Sequence, residues 1–339
     1  MKIAILSPVA WRTPPRHYGP WEQVASNLAE GLINEGIKVS LFATADSVTN
    51  AKLEAVIPKG YEEDRSQDAK VSECLHISNL AERAAEFDII HNHFDFLPLT
   101  YSKLISTPIV TTIHGFSSPL IIPVYKKYNQ NCSYVSISYA DRSKELKYIA
   151  NIYHGIDSTH FTFNPTPDDY LLFLGRIHPD KGTAEAIEIA IQSKRRLIIA
   201  GIIQDENYFR EKVEPLLNDE IVFIGHAGPE KRNALLNKAF ALLHPINFQE
   251  PFGLSVVEAM FCGTPVIAFN KGSMPELIED KKTGFLVDTI EEASEAVGSI
   301  SNLSRHACYK HASEKFSIDR MVKEYIAVYE QLLLKTITA

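Results

Sequence analysis

Short apolar runs with no polar face recur along almost the whole chain, each followed by an amphipathic stretch. Leu171-Leu172-Phe173-Leu174 and Leu197-Ile198-Ile199-Ala200 are the clearest. A strand that is apolar on both faces must be covered on both faces, the condition of a parallel sheet wrapped by helices. The pattern places strands at Lys2–Val9, Lys38–Thr44, Phe87–His93, Pro108–His114, Tyr134–Ser138 and Asn151–Gly155. A second run follows at Tyr170–Ile177, Arg196–Gly201, Ile221–Gly225, Ala241–Pro245, Pro265–Phe269 and Gly284–Val287. Two runs of six strands alternating with helices predict an α/β chain of two doubly wound domains. A length of 339 residues fits two domains of ordinary size.

The domain boundary is expected at residues 160–169, where two prolines interrupt any periodic apolar pattern. That gives an N-terminal domain of residues 1–160, a C-terminal domain of 161–317 and a closing segment, 318–339. The closing segment reads as a helix, with Met321, Tyr325, Val328, Tyr329 and Leu332 on one face. Residues 58–69 are polar and read as a surface loop.

The charge balance, 34 Lys+Arg against 42 Asp+Glu for a net −8, argues against a broad nucleic-acid surface, which needs clustered cations. No apolar run is long enough to span a membrane, and the first strand is too short for the core of an export signal. The four cysteines are scattered without a CxxC pair, which fits a reducing compartment rather than a disulfide framework. A cytoplasmic location is expected.

In open α/β sheets ligands sit beyond the carboxyl ends of the strands, and these ends are unusually polar here. Arg176 leaves a strand, Lys181 follows on a Pro-Asp turn, and Gly182 opens the next helix. Two cations there suit a diphosphate, although a basic solvated turn has the same appearance. Pro251, Phe252 and Gly253 shape a loop before a helix that begins at Leu254. The free amides of Leu254 and Ser255 form an anion cradle. Glu250 before that helix and Glu258 one turn inside it can accept hydrogen bonds from paired sugar hydroxyls, or can serve as ordinary helix-start and solvated acids.

The histidines divide. His91 and His93 share one face of a strand, but no third ligand stands at a suitable spacing, so a metal is not expected. A hydrogen-bonded, partly buried role suits them better. His114, next to Gly115, can project from a strand end or be a satisfied core histidine. His17 and Tyr18, in the loop after the first strand, can touch a ligand. That loop has no GxGxxG, so the usual dinucleotide fingerprint is missing. The segment Leu120–Tyr128 is apolar with two adjacent lysines, Lys126 and Lys127. It reads as a helix with a solvated lysine face, with weak contact to the inner membrane face as the alternative.

Taken in order, these segments resemble the retaining glycosyltransferases of family 4, of the GT-B fold. The resemblance is carried by Tyr18-Gly19 with Glu22, His93, His114-Gly115, Ser136-Ile137-Ser138, His154-Gly155-Ile156-Asp157, Gly175-Arg176 and Lys181-Gly182. Its most specific mark is Glu250-x7-Glu258 around Phe252-Gly253-Leu254, supported by Gly263–Ile267, Gly272–Ile278 and Thr283–Val287. The resemblance implies two Rossmann-like domains facing a cleft, with the last helix crossing back to the first domain. It implies a UDP-, GDP- or ADP-hexose as co-substrate, no permanently bound cofactor and no metal. The acceptor would be a glycan, a lipid-linked sugar or a small metabolite. Oligomeric state stays open.

Residue by residue, the resemblance gives Arg176 and Lys181 the diphosphate, with help from the amides near Leu254 and Ser255. It gives Glu258 the ribose, Glu250 the donor sugar near its anomeric carbon, and His114 the sugar's C6 group. Gly19 would admit the phosphates, while His17, Tyr18, His93 and Asp95 would lie on the acceptor side. Base contacts would come from the backbone near Ile202–Ile203 and Gly225–His226. One departure stands out: the family often has a second glycine after Gly19, where this chain has Pro20 and then Trp21. A sugar-nucleotide epimerase of the same fold and a non-catalytic nucleotide-sugar-binding protein are the alternatives.

Overall fold

The structure is a computed structural model that describes residues 1–116 and 118–338, with side chains as far as Leu334. The chain forms two compact units. One is Met1–Gly155 together with the segment from Ile318 on, and the other is Ile156–Ser317.

The first unit contains β1 (Lys2–Leu6), β2 (Lys38–Phe42), β3 (Lys52–Glu54), β4 (Ile89–Asn92), β5 (Ile109–Ile113), β6 (Cys132–Ser136) and β7 (Tyr148–Asn151). They form a parallel sheet in the order β3-β2-β1-β4-β5-β6-β7. The second unit contains β8 (Leu171–Leu174), β9 (Leu197–Ala200), β10 (Ile221–Phe223), β11 (Ala241–His244), β12 (Val266–Phe269) and β13 (Gly284–Val287). Their order is β10-β9-β8-β11-β12-β13, again all parallel. In each sheet the order reverses once, between β1 and β4 and between β8 and β11. Those reversals open a crevice at the carboxyl ends of the strands.

Burial explains both the successes and the errors of the strand expectations. Leu171, Leu172, Leu197 and Ile199 are fully buried, as a strand covered on both faces requires. The last strand of the first unit, expected at Asn151–Gly155, lies at Tyr148–Asn151. It is an edge strand and half-buried throughout, so it carries no two-faced apolar run. β3 escaped notice for the same reason: its three residues are exposed or half-buried.

The boundary expectation needs a correction. The chain passes between units at Gly155–Ile156 and returns at Ser317–Ile318. Residues 160–169 are not a free linker but are tied into the second unit. The Asn164 amide bonds the Cys262 carbonyl at 3.2 Å, and Arg305 Nε donates to the Asn164 carbonyl at 2.6 Å.

The final helix, Ile318–Thr338, belongs to the first unit. Met321, Val322, Tyr325, Val328 and Tyr329 are buried against the Pro20–Asn34 helix and the sheet. Burying side chains of this size contributes roughly 1.5–3 kcal/mol each. The helices meet closely at Gly31, where a Cβ would stand 2.4 Å from Val322 Cγ2. Among the described residues no helix is long and apolar enough to cross a membrane. The Leu120–Tyr128 segment forms a 3-10 turn and the short Ile122–Tyr128 helix. Tyr125 and Tyr128 are buried, Lys126 pairs with Glu145 at 2.9 Å, and Lys127 lies over the Tyr128 ring.

Candidate functional site

In the second unit, polar side chains gather at the ends of β8 and β11, the two strands that flank the reversal. β8 is followed by Gly175 and Arg176, whose guanidinium donates to the Gln204 side chain. The neighbouring β9 is followed by Gly201, where a Cβ would stand 1.7 Å from the Gly175 carbonyl oxygen. A side chain there is therefore incompatible with the backbone that positions Arg176. Lys181 closes a 3-10 turn, Pro179–Lys181, in which His178 Nδ1 accepts the Asp180 amide at 3.3 Å. Gly182 follows in the left-handed region at φ 73° and packs on the Pro245 carbonyl after β11.

Lys181 Nζ donates to the Glu250 carboxylate and lies 4.5 Å from the Phe248 ring centroid. His244, the last residue of β11, brings Nε2 to 3.7 Å from Glu250 Oε2. Burial alone would push the Glu250 carboxyl up. The adjacent His244 and the Lys181 ammonium outweigh it and hold the pKa down at about 2. Burial also keeps His244 below the usual imidazole range, against the pull of that carboxylate. The loop is locked from behind: a Cβ at Gly272 would stand 2.3 Å from the Glu250 amide nitrogen, and the Ser273 amide bonds the Glu250 carbonyl at 3.0 Å.

Gly253 adopts φ 98° and starts the Leu254–Phe261 helix. The amides of Leu254 and Ser255 have no acceptor within the helix and carry the positive end of its dipole. The Phe252 ring is buried beside Phe316, 6.1 Å between centroids, and its carbonyl accepts from Ser273 Oγ. Phe252 thus helps to set the loop through packing. Glu258 is buried and accepts from Arg232 at 2.9 Å, which excludes the solvated-acid alternative.

In the first unit, Gly19 (φ 149°) precedes the Pro20–Asn34 helix, and Pro20 sits in its first turn. Proline is favoured there because its missing N–H is not needed. The Trp21 ring stacks on His114, 5.4 Å between centroids and 19° between planes. His114 Nε2 shares a hydrogen bond with His93 Nδ1 at 2.9 Å, and His114 Nδ1 another with His154 Nε2 at 3.3 Å. His91 bonds Tyr329 at 2.6 Å and Thr112 at 2.8 Å. Burial, reinforced at His91, His93 and His114 by their histidine neighbours, holds all four imidazoles below the usual range, His93 and His154 at about 3. They are neutral at pH 7. Among the described residues, no group of three His, Cys, Asp or Glu side chains is placed to hold a metal ion.

Tyr18, Gly19, Trp21, Glu22 and Asp95 line one cavity of about 480 Å³. That size lies within the range of small-molecule pockets, about 300–1,000 Å³. Asp95 is held at φ 83° by Asn92, whose Nδ2 donates to the Asp95 carbonyl at 2.8 Å. It accepts from Tyr125 Oη, and burial lifts its pKa to about 6. His17 is exposed.

Glu22 accepts the Trp11 amide at 3.3 Å, yet burial lifts its pKa from 4.5 to about 7. An acid that ionises less readily when folded costs stability as pH rises. The penalty begins near pH 4.5 and is complete above the folded pKa, reaching about 3 kcal/mol for a shift of this size. Glu22→Gln is therefore expected to stabilise the protein by about 2–3 kcal/mol at pH 8 and by under about 1 kcal/mol at pH 5. Urea unfolding at both pH values measures this, and an unchanged gap between them would contradict the assignment.

In the second unit, the polar residues Gln204, Arg232 and His244 lay outside the sequence reading. His244 had a usable signal, since it ends a strand as His93 nearly does. Arg232 and Gln204 stand in ordinary polar stretches, and only the fold brings them to Glu258 and Arg176.

Two family models match the chain. "Glycosyl transferases group 1" covers residues 142–315, and "Glycosyltransferase Family 4" covers residues 21–158. An uncharacterized glycosyltransferase of Methanocaldococcus jannaschii is 24% identical over 97% of this chain and 98% of its own length. The D-inositol 3-phosphate glycosyltransferase of Mycolicibacterium smegmatis is 30% identical over 59% of this chain and 50% of its own. The crystal structure of Anabaena HepE in complex with UDP and glucose superposes with a TM-score of 0.73, at 19% identity over 97% of this chain and 99% of that one. With two parallel Rossmann-like sheets and both models matched in order, the chain belongs to the group 1 glycosyl transferases, with family 4 character in its first unit and the GT-B fold.

Proposed function

We propose that this glycosyltransferase moves a hexosyl group from a nucleoside-diphosphate sugar to a hydroxyl acceptor, with retention at the anomeric carbon and without a metal. The observation that carries the reading is the convergence of Arg176, Lys181 and the Leu254–Phe261 helix start on the ends of two adjacent strands, β8 and β11. Such fixed charges and dipoles suit a diphosphate that gains negative charge as it departs. Glu258, buried and oriented by Arg232, is suited to a ribose diol. Glu250 is suited to donor-sugar hydroxyls near the anomeric carbon. The His114 imidazole is neutral, stacked on Trp21 and bonded through both ring nitrogens to His93 and His154, so its proposed role at the donor sugar's C6 group requires it to exchange one of those bonds.

In the proposed step the bond from the anomeric carbon to the phosphate oxygen breaks. The acceptor oxygen attaches on the same face, and its proton passes to the departing phosphate. No nucleophile of the protein is required. Because the Anabaena HepE structure contains UDP and glucose, uridine donors come first in a test. We place the protein in the cytoplasm.

The test is thermal shift and slow hydrolysis with UDP-, GDP- and ADP-linked glucose, mannose, galactose and N-acetylglucosamine, with and without EDTA. One donor is expected to stabilise the protein and be hydrolysed despite EDTA. Glu258→Ala should then raise the dissociation constant of that donor about tenfold or more, since hydrogen bonds to a charged group contribute about 1.5–3 kcal/mol. The reading fails if no nucleotide sugar stabilises the protein, and the ribose role fails if the Glu258 variant binds the donor unchanged.

A further inference from the structure

The cavity of the first unit has a chemistry of its own. Its walls are aromatic, with Trp11, Tyr18, Trp21 and Phe94 among them, and its polar groups include Glu22, Glu73 and Asp95. Among the described residues that line it there is no lysine, arginine or histidine. The two arginines of the preceding loop are committed elsewhere. Arg16 pairs with Asp46 at 3.1 Å and Glu63 at 2.8 Å, and Arg12 Nε donates to the Pro14 carbonyl at 2.9 Å. The carboxylates are placed rather than loose. Tyr61 Oη donates to Glu73 at 3.1 Å, Tyr125 to Asp95, and the Trp11 amide to Glu22. A side chain at Gly19 would crowd the Glu22 carboxylate, since a Cβ there would stand 3.0 Å from Glu22 Oε2.

We infer that this cavity binds the acceptor as an uncharged, hydroxyl-rich sugar or polyol, and that it rejects sugar phosphates. Calling the bound molecule an acceptor rests on the transferase reading; the chemistry of the cavity does not. A sugar ring presents C–H faces that pack on aromatic rings and a rim of hydroxyls that donate to carboxylates. A phosphate would meet three acids and no cationic side chain, with only the free amides at the start of the Pro20–Asn34 helix to receive it, where phosphate sites ordinarily add Arg or Lys. The D-inositol 3-phosphate in the name of one relative marks the opposite acceptor chemistry, so the two chains are expected to differ here.

The chain has two tryptophans, and both line this cavity, so intrinsic fluorescence reports its occupancy without any donor. The probes are myo-inositol and the methyl glycosides of glucose, mannose and galactose, set against glucose 6-phosphate, myo-inositol 1-phosphate and inorganic phosphate. At least one neutral probe should give a saturable change. The phosphates should bind at least about 100-fold more weakly, because like-charge juxtaposition is among the costlier mismatches. Glu73→Gln and Asp95→Asn should each weaken the neutral probe about tenfold, by loss of a charge-assisted bond. Asparagine tolerates the left-handed backbone at position 95, so that variant keeps the loop. The inference is overturned if a phosphorylated probe binds more tightly than its neutral partner, if no neutral probe binds saturably, or if both variants bind as the parent does. Saccharide binding in a protein that no nucleotide sugar stabilises would instead leave the cavity assignment standing and remove the donor reading.

Discussion

Lys181→Ala is expected to lower turnover by about 100-fold or more, the usual loss when a fixed charge aimed at a developing anion is removed. The side chain is largely buried, bonded to Glu250 and seated over Phe248, so its position is set before any donor arrives. Preorganisation of that kind makes a charge effective, since nothing has to be rearranged during reaction. The variant should also disturb Glu250. With Lys181 gone, burial is opposed mainly by His244, and the Glu250 pKa should rise from about 2. Glu250 stabilises the fold above its unfolded value of 4.5, and that contribution is lost as pH falls toward 2. In the variant the loss should set in at a higher pH. Steady-state kinetics with the stabilising donor and an acid-unfolding curve measure the two effects. Parent-like turnover would remove Lys181 from the diphosphate role, and a normal acid-unfolding curve would remove its hold on Glu250.

Gly182→Ala should destabilise the protein by roughly 3 kcal/mol or more. The left-handed conformation costs a residue with a Cβ about 1–2 kcal/mol, and overpacking adds typically about 1–3 kcal/mol. Overpacking is severe here because the added Cβ would stand 1.9 Å from the Pro245 carbonyl oxygen, a backbone atom. Gly36 supplies the control. Its φ is +75°, nearly that of Gly182, yet nothing lies within 4 Å of the position a Cβ would take. Gly36→Ala should therefore show the conformational cost alone. Equal losses of unfolding free energy in the two variants would mean that the close approach to Pro245 contributes nothing. The Asn247 amide bonds the Asp180 carbonyl at 2.7 Å, so the same variant should also loosen the turn that carries Lys181.

How much of this was legible in the sequence depends on how local each cause is. β8 and β9 declare themselves because their burial demands apolar side chains on both faces. β3 and β7, at the edges of their sheet, make no such demand, and one was missed while the other was misplaced. Lys181, Glu250 and Glu258 were legible as residue types at telling positions. Their partners were not, because Lys181 and Glu250 lie 69 residues apart and Glu258 and Arg232 lie 26 apart. Trp21, which seemed an obstacle after Gly19, proves to be the platform under His114. Sequence spacing cannot foretell that stack, since it depends on the angle at which the Pro20–Asn34 helix leaves the loop.

The return of the final helix has a consequence for the order of events during synthesis. All of Ile156–Ser317 has been made before Tyr325 and Tyr329 exist, so the second unit can complete its core while the first still cannot. Until the final helix arrives, His91 and Thr112 lack the phenol hydroxyls they bond in the finished protein, and the part of the Pro20–Asn34 helix that packs on it has no cover. The half of the chain that leaves the ribosome first is thus the half whose core is completed last. During that interval it depends on staying unaggregated rather than on its own stability.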